Sequence, residues 1–155
     1  MCIRDSTLVL FNYVERHGMP LFELINNKVG EDRLVFLVHG GVDTEDREKA
    51  RRIAETTHDS IIVASYGTFS TGINIRNLHN VVFASPSKSK IRNLQSIGRV
   101  LRKGDHKTKA VLYDIADDIS TATKRNYTLN HLTERVKIYN EENFDYEFID
   151  VRIRD

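Results

Sequence analysis

Gln95, Gly98, Arg99 and Arg102 are the residues whose types and spacing best suit chemistry in this chain. They lie in Gln95-Ser96-Ile97-Gly98-Arg99-Val100-Leu101-Arg102. Wound as an α-helix of about 3.6 residues per turn, the stretch separates into two stripes. Ile91, Leu94, Ile97, Gly98 and Leu101 share an apolar side that can be buried. Arg92, Gln95, Arg99 and Arg102 share an adjoining polar stripe at its rim. A guanidinium is a planar fork of donors that matches phosphate oxygens in pairs. A lone arginine here reads as a solvated surface charge. Two arginines with a glutamine and a glycine at these spacings read as an anion site.

The charge around this stretch points the same way. Residues 88–109 hold Lys88, Lys90, Arg92, Arg99, Arg102, Lys103, Lys107 and Lys109 against Asp105 alone, a local charge of +7. The whole chain is only +1, so the remainder is −6. A basic segment in a near-neutral chain suits a polyanion. Nucleotide phosphate and a nucleic-acid backbone are both candidates, and a solvated helix and loop also accounts for the charge.

The elements that must position these groups follow from hydropathy. Thr7–Tyr13, Leu34–Val38, Ser60–Ala64, Asn80–Ala84 and Lys109–Ile115 are apolar runs of strand length. Such continuous runs are expected of strands covered on both faces. Pro20 opens a helical pattern through Leu21, Leu24 and Ile25, with proline tolerated in the first turn. Glu45–Thr57 is a charged helix with Ala50, Ile53 and Ala54 as its inner stripe. Strands alternating with helices predict an α/β fold, a doubly wound, mainly parallel sheet with helices on both faces. Such sheets bind ligands beyond the carboxyl ends of their strands.

The pattern changes after Asp118. Residues 119–155 read as a polar connection, then a helix with Leu129, Leu132, Val136 and Tyr139 on one stripe. Phe144, Tyr146 and Phe148 then alternate with polar residues, and Ile149, Val151 and Ile153 continue on the opposite parity. This predicts an added edge strand with a bulge or change of face, packed on the domain of residues 7–118. Residues 1–6 carry no usable pattern and read as a non-native or disordered leader.

Composition excludes several classes. The 155 residues are 40% hydrophobic and 29% charged, ordinary for a globular domain with a core. No apolar run approaches the ~20 residues of a membrane helix, and the charged start is no secretory signal. The one cysteine, Cys2, excludes an internal disulfide and fits a reducing compartment. The six histidines form no H-E-x-x-H and have no cysteine partners, so no metal site is expected. Tyr127, Tyr139, Tyr146 and the phenylalanines fit core positions better than a base-stacking platform.

Two more stretches carry chemistry. Ala64-Ser65-Tyr66-Gly67-Thr68-Phe69-Ser70-Thr71-Gly72-Ile73-Asn74 is a small-residue loop after a buried strand. Small residues there let backbone N–H groups approach a phosphate, though a plain strand-to-helix turn uses them too. Val38-His39-Gly40-Gly41, followed by Thr44-x-x-Arg47, joins two glycines to a helix start. That start is either an anion site or an ordinary capped helix, with Asp43 or Thr44 as cap.

Q-x-x-G-R-x-x-R at residues 95–102 matches motif VI of superfamily 2 helicases. The Ser65–Asn74 loop resembles motif V in the correct order before it. Val38–Arg47 resembles the segment after motif IV, with Thr44 where the family usually has glutamine, and Leu8–Asn12 resembles motif IV itself. The resemblance runs from Thr7 to about Asp118 and is nearest to a branch of DNA helicases from T-even phages. It implies the second, RecA-like domain of a two-domain motor. Arg99 and Arg102 then stand as arginine-finger candidates, and Gly72, Asn74, Gln95 and Gly98 face ATP. Asn74 replaces the family's usual aspartate and carries no charge. Asn12, Gly40, Gly41, Ser65, Tyr66 and Gly67 contact nucleic acid.

The sequence holds no G-x-x-x-x-G-K-[ST] loop and no D-E-x-D/H box. Family members carry both in a first RecA-like domain, which would precede residue 7 and hold most of the ATP and Mg²⁺. The implied partners are that domain and single- or double-stranded DNA, with RNA as the alternative. The implied setting is the cytoplasm of a bacterial or phage-infected cell, in DNA unwinding, branch migration, repair or recombination. Two other readings fit: a non-catalytic basic module that binds nucleic acid, and a motor fragment of a restriction or remodelling enzyme.

Overall fold

The computed structural model describes residues 6–57, 59–70, 78–85, 110–124 and 126–153. The chain divides into two compact units, Met1–Ala116 and Asp117–Asp155. In the first, β1 (Ser6–Phe11), β2 (Leu34–Val38), β3 (Ser60–Ser65), β4 (Leu78–Phe83) and β5 (Val111–Asp114) form one sheet. The strand order is β2-β3-β1-β4-β5, and all neighbours are parallel. Leu8, Leu10, Phe11, Ile62, Val63, Ala64, Val81 and Phe83 are almost fully buried. Strands covered on both faces need no polar alternation, which is why they read as unbroken apolar runs.

Helix α1 (Met19–Val29) covers one face. Leu21, Phe22, Ile25 and Val29 pack on Val9, Phe11, Ile61 and Val63. Leu24 was expected in that stripe but is 55% exposed. At 100° per residue it falls more than a quarter-turn from the centre of these four partly buried residues. Gly30 ends the helix at φ +58°, its N–H donating to the Asn26 carbonyl at 3.0 Å. That conformation favours a residue without Cβ.

Helix α2 (Thr44–Thr56) buries only Ala50 and Ala54. It lines a hollow with Phe36 and Val38 of β2. These have the opposite parity to Val35 and Leu37, which pack towards α1. The two helices therefore cover opposite faces, as right-handed crossovers running in opposite directions along the sheet require. On α2, Arg51 pairs with Glu48 at 2.6 Å and with Glu55 at 2.9 Å. The Arg51 hydrogen bond holds the Glu48 carboxyl below its usual range.

Between β1 and α1 the backbone makes a wide π-type turn, Val14–Gly18. The Tyr13 carbonyl accepts from both His17 N at 2.9 Å and Gly18 N at 3.0 Å. A Cβ on Gly18 would stand 2.4 Å from the buried Phe11 ring. Gly18→Ala should therefore destabilise the domain by about 1–3 kcal/mol, read as a lower urea midpoint.

In the second unit, the helix expected from Leu129, Leu132, Val136 and Tyr139 runs from Tyr127 to Glu141. The Asn126 side chain accepts from Thr128 N at 3.1 Å and donates to Asp118 Oδ1 at 3.0 Å and the Asp117 carbonyl at 3.1 Å. Hydrogen bonds from Ser120 and Asn126 hold the Asp118 carboxyl below its usual range. The helix ends at Asn143, φ +54°, with Phe144 N donating to Tyr139 O at 2.9 Å and Asn143 N to Asn140 O at 3.1 Å. This paired closure brings the Phe144 and Tyr139 rings to 6.3 Å. Arg135, unremarked in the sequence, is 1% exposed.

The expected edge strand is not formed. Among the described residues, 144–153 pair with no strand. Apolar groups on both parities give this segment no single face to bury, and Phe148, Ile149, Val151 and Ile153 are exposed. The core assignment holds for Tyr139 but not for Tyr127 or Tyr146, which are exposed.

Candidate functional site

Strand order places the ligand edge. The chain leaves β1 towards β2, whereas β4 is followed by β5 on the other side. Neighbours β1 and β4 thus flank the point where connections diverge, and the crevice beyond their carboxyl ends is where such sheets bind ligands. Asn12 closes it from one side. Its backbone N–H donates to Ser85 Oγ at 2.9 Å, and its side-chain amide donates to the Ser85 carbonyl. Ala84 N donates to Leu10 O at 3.0 Å just before. One N–H of the Asn12 side chain, the residue expected to reach nucleic acid, is thus engaged in latching two strand ends.

Beyond β2, Val42 N donates to His39 O at 3.0 Å, and Gly41 N donates to His39 Nδ1 at 3.1 Å. A Cβ on Gly41 would meet the imidazole at 3.1 Å, whereas a Cβ on Gly40 would meet nothing within 4 Å. Asp43 occupies the N-cap of α2 without a side-chain cap bond. Thr44 Oγ1 instead accepts from Arg47 Nη2 at 3.1 Å. Asp43, Glu45 and Asp46 crowd this first turn, and their charge opposes a phosphate at the helix dipole.

Beyond β3 the expected loop begins as a short helix, Tyr66–Ser70. Ser65 Oγ bonds Thr68 Oγ1 at 2.8 Å and accepts from Thr68 N at 3.4 Å, which caps it. The Tyr66 ring is buried and tilted against Phe83 at 5.8 Å. Any ligand contact from Tyr66 runs through its backbone. Gly67 is exposed, and a Cβ there meets nothing within 4 Å.

Asn12, Gly40, Gly41, Ser65, Tyr66 and Gly67 therefore all lie at the carboxyl edge. Gly72, Asn74, Gln95, Gly98, Arg99 and Arg102 lie outside the described residues. Sequence reading missed Tyr13 and His17. Tyr13 had been absorbed into the β1 run, yet it is 63% exposed and stands edge-on to His17 with ring centroids 5.3 Å apart. An aromatic directly after the strand-ending Asn12 was the available signal. Among the described residues, no three His, Cys, Asp or Glu side chains gather as metal ligands, and no helix is long and apolar enough to cross a membrane.

The parallel five-stranded sheet with its divergent crevice places the chain in the RecA-like α/β class. The helicase conserved C-terminal domain family matches residues 3–104, and the chain belongs to that family, the C-terminal domains of superfamily 2 helicases. It is 44% identical over 152 residues to the ATP-dependent DNA helicase uvsW of Enterobacteria phage T4, covering 92% of this chain and 30% of the helicase. The crystal structure of T4 UvsW superposes with a TM-score of 0.70 at 44% identity, over 93% of this chain and 30% of that one. The chain is also 30% identical over 125 residues to a putative ATP-dependent RNA helicase, L396, of Acanthamoeba polyphaga mimivirus, covering 80% of this chain and 22% of that protein. Domain 2 of the Mss116p DEAD-box helicase, bound to an RNA duplex, shares the fold with a TM-score of 0.65 at 17% identity, over 88% of this chain and 48% of that one. The chain thus spans less than a third of the length of the two viral helicases.

Proposed function

We propose that this chain is the C-terminal motor half of an ATP-dependent DNA helicase or translocase. One observation carries the reading: Asn12, Gly40–Gly41 and Ser65–Gly67 converge on the sheet edge of a chain that belongs to the helicase C-terminal family. Its relative of higher identity is named as a DNA helicase, which favours DNA over RNA.

The small residues suit this role. Gly40 and Gly67 have neither a positive φ nor a packed neighbour to require glycine. Their missing Cβ atoms leave room for a phosphate to reach the backbone, a contact that positions a strand without reading its bases. By resemblance to the family's motifs, Gly72, Asn74, Gln95 and Gly98 would line ATP. ATP and Mg²⁺ would be held mainly by an N-terminal RecA-like domain, and ATP supplies the free energy that closes and opens the interdomain cleft. Arg99 and Arg102 would offset charge that develops on the transferring phosphoryl group.

The direct test is hydrolysis by the 155-residue chain alone, with DNA and magnesium. Turnover should stay at background, and adding the phosphate-loop domain of a relative should raise it. Robust turnover by the chain alone overturns the half-site reading.

A further inference from the structure

The turn Val14–Gly18 does more than connect β1 to α1. Its carbonyl at Tyr13 takes two N–H donors, from His17 at 2.9 Å and Gly18 at 3.0 Å. Such wide turns are rare within helices and collect at functional positions. Here the turn is fixed from below, because Gly18 sits directly on the buried Phe11 ring. Its product is a pair of rings. Tyr13 and His17 meet edge-on, centroids 5.3 Å apart and planes 74° apart. Tyr13 stays 63% exposed. The His17 Nδ1 atom is buried with no hydrogen-bond partner among the described residues, so the imidazole is held by packing. The rings stand one residue beyond the Asn12–Ser85 latch, at the edge where a strand would lie.

We propose that Tyr13, braced by His17 on this rigid turn, is a stacking platform for an unpaired nucleobase. This rests on the nucleic-acid reading above and adds the group that takes a base rather than a phosphate. Every base has a π-face, so such a platform is tolerant of sequence and of sugar. The exposed charges on the turn, Glu15 and Arg16, are opposite in sign. They leave the platform close to neutral, so its contribution comes from stacking and is little screened by salt, unlike phosphate contacts.

The sequence contains no tryptophan, so Tyr13→Trp places a single indole on the platform of the full chain. The probes are an oligothymidylate, the matching oligouridylate, and an abasic oligonucleotide of equal length. Both base-bearing strands should quench the indole, and the abasic strand should not. Tyr13→Ala should weaken oligothymidylate binding on the order of 10-fold, by the same factor at low and high salt. Its thermal midpoint should not move, and Tyr13→Phe should bind as the parent does. Equal quenching by the abasic strand, or parental affinity in Tyr13→Ala, overturns the platform while leaving strand binding in place. If Tyr13→Ala instead weakens only association with an N-terminal motor domain, the ring is an interdomain contact and the proposal falls. If the parent chain binds no strand at low salt, the nucleic-acid reading falls and the platform with it.

Discussion

Arg102→Ala, in a two-domain protein that joins this chain to its phosphate-loop domain, is expected to lower ATP hydrolysis by ~10³–10⁵-fold with nucleotide binding largely kept. The asymmetry follows from when the charge appears. Ground-state ATP is already neutralised by magnesium and by the domain that holds its phosphates. Further charge on the transferring group develops only as the bond breaks, so a guanidinium aimed there acts on the rate more than on affinity. Arg99→Ala should lower the rate in the same sense, since the sequence pattern of residues 91–102 predicts both on one polar stripe. Lysine is a poor substitute at either position, because a point charge cannot present the planar fork. The measurement is single-turnover hydrolysis beside equilibrium binding of a labelled nucleotide. If hydrolysis survives both alanine changes, neither arginine is the finger.

The strands were legible because the sheet is covered on both faces, most fully at β1, β3 and β4. β1, β2 and β3 appear as apolar runs within a residue or two of their observed ends. Helix α2 was legible for the opposite reason: in so charged a segment, only Ala50 and Ala54 had anything to bury. What escaped was set by contacts distant in sequence. The Asn12–Ser85 latch spans 73 residues, and nothing local to either residue announces it. The π-type turn depends on Gly18 meeting Phe11 across the end of β1, so Tyr13 looked like one more strand residue. The tail misled because alternation is a rule about burial, and among the described residues no strand pairs with 144–153. The site divides in the same way. Glycines at strand ends could be read directly, whereas the burial of Tyr66 required knowing that Phe83 lies beside it.

Gly40→Ala and Gly67→Ala are expected to separate stability from binding. Neither added methyl meets an atom within 4 Å, and neither position has a positive φ. In the free chain both changes should therefore be neutral or stabilising. Gly67 lies within the helix Tyr66–Ser70, where alanine is favoured over glycine by about 0.5–1 kcal/mol. At Gly40 the gain comes from a less flexible unfolded chain, about 0.4–1 kcal/mol. Binding should move the other way. A Cβ occupies the space through which a phosphate would reach the backbone. Loss of one hydrogen bond to a charged group, about 1.5–3 kcal/mol, corresponds to roughly 10-fold or more in affinity for single-stranded DNA. Thermal melting and a strand titration on the same samples decide it. A higher midpoint with weaker binding is the signature of a glycine kept for a ligand. If both variants bind as the parent does, these two turns do not hold the strand, and the contact surface lies elsewhere on the carboxyl edge.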